Sequence, residues 1–162
     1  MNRLRFGRTD LWVSPLCQGT AFRTLPRTDG PEARQVLAHA LDLGINFFDS
    51  SNAYGWGGAE EVLGRAVAGR RGQAVICTKV AAFGPPEPGE ARGPSLPFTR
   101  ANLFAQAEAS LRRLGTDYID LYLLHQPDNL TPPAEIAQSM AALVESGKVR
   151  YWGVSNHSAA QL

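Results

Sequence analysis

Residues 45–79 hold one complete strand–helix–strand unit. It opens on Ile45-Asn46-Phe47-Phe48-Asp49 and closes on Ala74-Val75-Ile76-Cys77-Thr78-Lys79. Both runs are nearly continuous in apolar residues until the last position, as strands buried on two faces should be. Between them, Ala59–Ala68 carries Val62, Leu63, Ala66 and Val67 at helical spacing, and Gly69 stops it. This unit sets the reading of its neighbours.

Working outward, the same alternation recurs. Before it lie a strand at Leu16–Ala21 and a helix opened by Gly30-Pro31, with the stripe Val36, Leu37, Ala40, Leu41 and a stop at Gly44. After it, Thr99 caps a third helix with Leu103, Ala107, Leu111 and Leu114 on one face and Gly115 at its end. Ile119–His125 is the next strand. Thr131-Pro132 starts a fourth helix with Ile136, Met140, Leu143 and Val144 on one face, ended by Gly147, and Val149–Val154 is the fifth strand. Met1–Ser14 reads as a hairpin turning at Gly7-Arg8-Thr9-Asp10. A loop rich in proline and glycine spans Ala81–Pro97.

Regular strand–helix alternation predicts a parallel sheet with helices outside it. Periodicity leaves two architectures open, a doubly wound open sheet and a (β/α) barrel. As a barrel, the 162 residues would supply the hairpin (1–14) and strands one to five with helices one to four (15–162), little more than half of eight units, within one domain.

Composition narrows the classes. A net charge of +1 and 44% apolar residues describe an ordinary globular chain. They give no reason to expect nucleic acid or anionic membrane as a partner. No apolar run approaches the roughly 20 residues of a membrane helix, and no secretory h-region follows Met1. Cys17 and Cys77 sit in apolar contexts and read as small buried thiols of a reducing cytoplasm. With His39, His125 and His157 they show no metal-ligand spacing, so no metal is expected. Nothing in the sequence bears on oligomeric state.

The strand ends carry the chemistry. Successive strands finish in Asp49, Lys79, His125 and Ser155-Asn156. In a parallel sheet these ends share one face, where barrels and open sheets build their sites. A single polar residue there is commonly just the start of a loop; four of these types together ask for more. Asp49 and Lys79 could each supply the other's counter-charge. Tyr54 follows five residues after Asp49. A free phenol titrates near pH 10, too high for efficient proton donation at neutrality, and an adjacent ammonium favours its phenolate. Tyr54, Lys79, Asp49 and His125 therefore form a workable proton-donating set for reducing a carbonyl.

Other chemistries fit less well. Gly55-Trp56-Gly57-Gly58-Ala59-Glu60 lacks the third glycine of a dinucleotide loop and puts Glu60 and Glu61 where phosphate would sit. There is no G-x-S-x-G elbow, no Walker lysine and no pair of carboxylates at the strand ends.

Phe47-Phe48-Asp49-Ser50-Ser51-Asn52-Ala53-Tyr54-Gly55, with Glu60-Glu61-Val62-Leu63-Gly64, resembles the signature of the aldo-keto reductases around their aspartate and tyrosine. Val75–Lys79, Asp117–His125 and Gly153-Val154-Ser155-Asn156 resemble the segments bearing that family's lysine, histidine and carboxamide-binding residues. Leu4–Thr9 and Leu16–Thr20 resemble its hairpin and first strand. The resemblance implies a (β/α)8 TIM-type barrel that uses NADPH, with NADH not excluded, to reduce a small-molecule aldehyde or ketone. By the same resemblance Tyr54 is the general acid, Lys79 tunes it, Asp49 holds Lys79 and touches the nicotinamide ribose, and His125 orients the carbonyl. Ser155 and Asn156 would hold the carboxamide, and Gly19 and Thr20 would lie against the ribose. Phe22, Trp56 and the Ala81–Pro97 loop are expected to shape the substrate pocket with His125. Two further readings stay open: a cofactor-binding, redox-sensing regulatory subunit, and an inactive part of a longer reductase.

Overall fold

A computed structural model of the chain describes residues 1–21, 30–84 and 93–161. Two short strands, β1 (Leu4–Arg5) and β2 (Trp12–Val13), pair antiparallel as the hairpin. Five parallel strands follow: β3 (Cys17–Gly19), β4 (Phe47–Asp49), β5 (Val75–Val80), β6 (Ile119–Leu124) and β7 (Val149–Val154). Helices α1 (Pro31–Asp42), α2 (Gly58–Ala66), α3 (Arg100–Leu114) and α4 (Pro133–Glu145) alternate with them.

Strand order decides between the two architectures. The sheet runs β3-β4-β5-β6-β7 with no reversal. A doubly wound sheet reverses direction at a switch point, whereas a barrel adds each strand beside the last. The arrangement is that of a TIM-type barrel, with the hairpin in front of it.

The period of two sorts the strand residues into two cores. Phe48, Ile76, Tyr122 and Leu124 point outward and pack with Leu37, Leu63, Leu103, Leu114, Met140 and Leu143 of the helices. Val75, Cys77 and Leu121 point inward and meet Leu11 and Val13 of the hairpin, with Phe47, Leu123 and Tyr151 around them. The hairpin thus plugs the barrel at the N-terminal ends of its strands. Asn46 ties the two parts together: its Oδ1 accepts the Ser14 N–H at 2.6 Å and its Nδ2 donates to the Trp12 carbonyl at 2.9 Å.

Local rules placed the helix ends. The Thr99 hydroxyl accepts from the Asn102 N–H, and Gly115 closes α3 at φ +62°. Gly64 lets α2 and α3 meet, since a Cβ there would stand 2.5 Å from the Leu114 carbonyl oxygen.

Several expectations are corrected. The α1 stripe is Ala33, Leu37, Ala40 and Leu41; Val36 is exposed because the buried face lies one position round the helix. Strand β4 starts at Phe47, because Asn46 spends its N–H and its side chain on the hairpin segment. Cys17 is exposed rather than buried, as β3 is an edge strand; Cys77 is buried. Among the described residues no helix is long and apolar enough to cross a membrane.

Candidate active site

Inward parity continues past the strand ends. Asp49 closes β4, Lys79 is the inward residue after Cys77 on β5, and His125 follows Leu123 at the top of β6. Register brings them together: Asp49 sits opposite Cys77, one inward step below Lys79. Tyr54 arrives from the β4–α2 loop in a one-turn helix.

Lys79 is the centre of the arrangement and is only 6% exposed. Its Nζ donates to Asp49 Oδ1 at 2.6 Å, to the Ser50 carbonyl at 3.0 Å and to the Tyr54 hydroxyl oxygen at 3.1 Å. An ammonium has three N–H groups, so all are used. Burial works against the charge, but the hydrogen bond and charge of Asp49, helped by Tyr54, outweigh it and raise the Lys79 pKa above its ordinary value. The lysine therefore stays cationic. Tyr54 accepts from Lys79, so its own O–H is the proton left to give elsewhere.

His125 packs its ring edge-to-face on Tyr54 with centroids 5.6 Å apart. Its Nδ1 lies 2.9 Å from Ser51 Oγ. Burial first, and then the Lys79 charge, lower its pKa below the usual 6.5, with Asp49 opposing weakly. The imidazole is thus neutral at neutral pH. A folded value below the unfolded one means the unfolded chain binds the proton first as pH falls. This contribution should be flat above about pH 6.5 and erode stability below it, down to the folded value. Urea midpoints from about pH 7.5 to about pH 5.5 should show wild type losing more stability than His125→Gln. A constant difference between the two would sink the assignment.

The expected cofactor contacts divide. Gly19 is Asp49's register partner on β3, and a Cβ built on it would meet open space. The Asp49 side chain is about one-third exposed, so it can accept from a ligand hydroxyl while bound to Lys79. Ser155 and Asn156 follow β7; Asn156, at φ +57°, donates through Nδ2 to the His125 carbonyl at 2.7 Å and to Ser155 Oγ at 3.1 Å. These groups fit the ribose and carboxamide of a nicotinamide: a hydroxyl-accepting carboxylate, a side-chain-free wall and a polar pair at one mouth. Thr20 does not join them. It is fully buried, and its Oγ1 donates to Ser50 Oγ at 3.0 Å, which turns the hydroxyl into the scaffold.

On the substrate side, Phe22 lies outside the described residues. Trp56 is half-exposed and stacks edge-to-face on Phe83, centroids 6.1 Å apart. The two line a cavity of about 720 Å³ with Ser95, Gln126, Pro127 and Leu130; Trp56 lies two residues past Tyr54, and Gln126 directly follows His125. A cavity of about 780 Å³ lies instead on the outer side of β6 and β7, among Leu124, Ile136, Trp152 and Val154, where no tetrad side chain points.

Two buried carboxylates carry the scaffold and escaped the sequence reading. Glu60, fully buried, accepts from Thr78 Oγ1 at 2.6 Å and from Arg113 Nε at 2.6 Å, joining α2, β5 and α3 directly behind Lys79. Its position three residues before Leu63, on the apolar face, was the available signal. Asp120 holds Arg71 and Arg150 below the barrel.

The sequence profile described as "Aldo/keto reductase family" matches residues 15–162. The aldo-keto reductase YhdN of Bacillus subtilis is 40% identical over 83% of this chain and 40% of its own length. A probable voltage-gated potassium channel subunit beta of Arabidopsis thaliana is 36% identical over all of this chain and 48% of its own. Among solved structures, a holo aldo-keto reductase from Bacillus halodurans superposes with a TM-score of 0.85 at 34% identity, covering 96% of this chain and 50% of that one. An aldo-keto reductase from Klebsiella pneumoniae in complex with NADPH gives 0.77 at 33% identity, covering 99% and 51%. The chain spans about half the length of the relatives it matches. It belongs to the aldo/keto reductase family.

Proposed function

We propose that the chain carries the reducing centre of an NADP(H)-dependent oxidoreductase that converts an aldehyde or ketone into an alcohol. The observation that carries this reading is the Lys79 ammonium shared between Asp49 and the Tyr54 hydroxyl. NADPH, when bound, supplies the hydride. Tyr54 gives its proton to the carbonyl oxygen, so carbon receives hydride and oxygen receives H⁺. Lys79, kept charged by Asp49, stabilises the phenolate left behind. His125, neutral, orients the oxygen. Asp49 accepts from the ribose, Gly19 leaves room beside it, and Ser155 with Asn156 fixes the carboxamide. The aromatic corner of Trp56 and Phe83 suits a hydrophobic or flat carbonyl compound. Both cysteines are free, and burial pushes the Cys77 thiol up to about 12; an inert buried thiol suits a reducing cytoplasm.

NADPH titrated into the protein should quench the fluorescence of Trp12, Trp56 or Trp152 saturably. With aldehyde added, NADPH should be consumed. Tyr54→Phe should retain binding and lose turnover by about a hundredfold or more. Tyr54→Phe turning over within about threefold of wild type would remove Tyr54 from the role. The relative named as a potassium channel subunit favours a second reading, a cofactor-binding regulatory subunit. Binding without turnover, together with a stable protein partner, would support it.

A further inference from the structure

We infer that Ser51 is the positioning residue that fixes the tautomer of His125, holding Nδ1 as a hydrogen-bond acceptor and leaving the proton on Nε2, the nitrogen that addresses the substrate oxygen. The inference rests on the reading of His125 as the residue that meets the carbonyl.

Ser51 is fully buried two residues past the end of β4. Its Oγ accepts the Ala53 N–H at 3.1 Å and lies 2.9 Å from His125 Nδ1. A hydroxyl has one proton to donate. Two acceptors are within range, His125 Nδ1 at 2.9 Å and the Lys79 carbonyl oxygen at 3.5 Å. That carbonyl already receives the Asn52 N–H at 3.2 Å.

Suppose the ring carried its proton on Nδ1. The ring would then donate to Ser51 Oγ, and the Ser51 proton would have only the carbonyl at 3.5 Å. Good O–H···O bonds span about 2.5–3.0 Å, so a buried donor would be left badly paired. With the proton on Nε2, the chain closes: Ala53 N–H donates to Ser51 Oγ, and Ser51 O–H donates to His125 Nδ1. Burial and the Lys79 charge keep the ring from taking a second proton.

The chemical consequence is direct. An Nε2–H can donate to a carbonyl oxygen and draw charge onto it as hydride arrives at carbon. The other tautomer would turn a lone pair toward that oxygen and repel it. Ser51 thereby sets the sign of what His125 does.

The test is a long-range proton–nitrogen correlation spectrum of protein carrying ¹⁵N-labelled histidine. Only three histidines contribute, His39, His125 and His157. Wild type near neutral pH should show His125 Nδ1 unprotonated and Nε2 protonated. Ser51→Ala should shift the tautomer ratio toward the Nδ1–H form by about fivefold, the equivalent of one hydrogen bond. Ser51→Cys keeps the volume with a weaker donor and should shift the ratio in the same direction, which covers the case in which the alanine variant does not fold. A protonated Nδ1 in wild type, or an unchanged ratio in the folded variants, overturns the inference. The spectrum needs neither cofactor nor carbonyl. A fixed tautomer in an inactive protein would defeat the reductase reading alone, and a free tautomer in an active one would defeat this inference alone.

Discussion

Lys79→Met is expected to lower carbonyl reduction by more than about a hundredfold, within the range for lost general acid catalysis. Methionine matches the length of the lysine stem and removes the ammonium. Three acceptors then lose their donor together: Asp49 Oδ1, the Ser50 carbonyl and the Tyr54 hydroxyl. The loss of the Tyr54 contact matters most for rate. Proton donation leaves a phenolate, and without the ammonium that anion forms in a half-buried site with Asp49 as its nearest charge. The variant should still fold, because Asp49 is about one-third exposed and water can solvate it. NADPH binding should therefore survive while turnover at saturating cofactor collapses. Near-normal turnover in folded Lys79→Met would sink the assignment of Lys79. Loss of binding with loss of turnover would instead point to a collapsed site.

The site was more legible than its supports, for a physical reason. Strand-end residues of a parallel sheet must gather on one face, and the parity that makes Val75, Cys77 and Lys79 inward also makes Asp49 and His125 inward. One-dimensional order therefore already carried the tetrad, and Thr99 and Gly115 announced the ends of α3 by local rules. Strand order, by contrast, is a tertiary fact. Barrel and doubly wound sheet share the same alternation, so only the unreversed order of β3 to β7 separates them. The family resemblance puts Thr20 against the ribose, but the even-numbered side faces the scaffold, where Ser50 takes its hydroxyl proton. Val36 failed because stripes offset by one residue read almost alike until the packing partner is known. Glu60 and Asp120 were hidden by the rule that charges sit outside. Each is buried because two or more donors from other elements converge on it; the chain marks Glu60 only by its place on an apolar helix face, and marks the convergence itself at neither residue.

Asp120→Ala should be the costlier change for stability, at about 3–5 kcal/mol, the usual loss when one partner of a buried ion pair is removed. Asp120 is 1% exposed at the N-terminal end of the barrel. Oδ2 accepts from Arg71 Nη2 at 2.8 Å and from the Ile76 N–H at 3.0 Å, and Oδ1 accepts from Arg150 Nη1 at 2.8 Å. Arg71 keeps its bonds to the Ala74 and Tyr118 carbonyls and its place over the Tyr118 ring, but loses its counter-charge. The Ile76 N–H, inside the sheet, loses its acceptor. Arg150 reaches on to Asp10, which also accepts from the Tyr151 hydroxyl, so the same carboxylate anchors the hairpin plug through its neighbour. For a chain of this size the loss corresponds to a fall in melting temperature of roughly 10 °C. Asp120→Asn should cost less, since an amide oxygen can still serve the Ile76 N–H. Arg150→Ala, at a partly exposed position, should cost about 1 kcal/mol or less. This ranking, alanine worst, asparagine next and Arg150→Ala least, separates a buried charge hub from an ordinary surface network, in which all three would lie within about 1 kcal/mol of wild type.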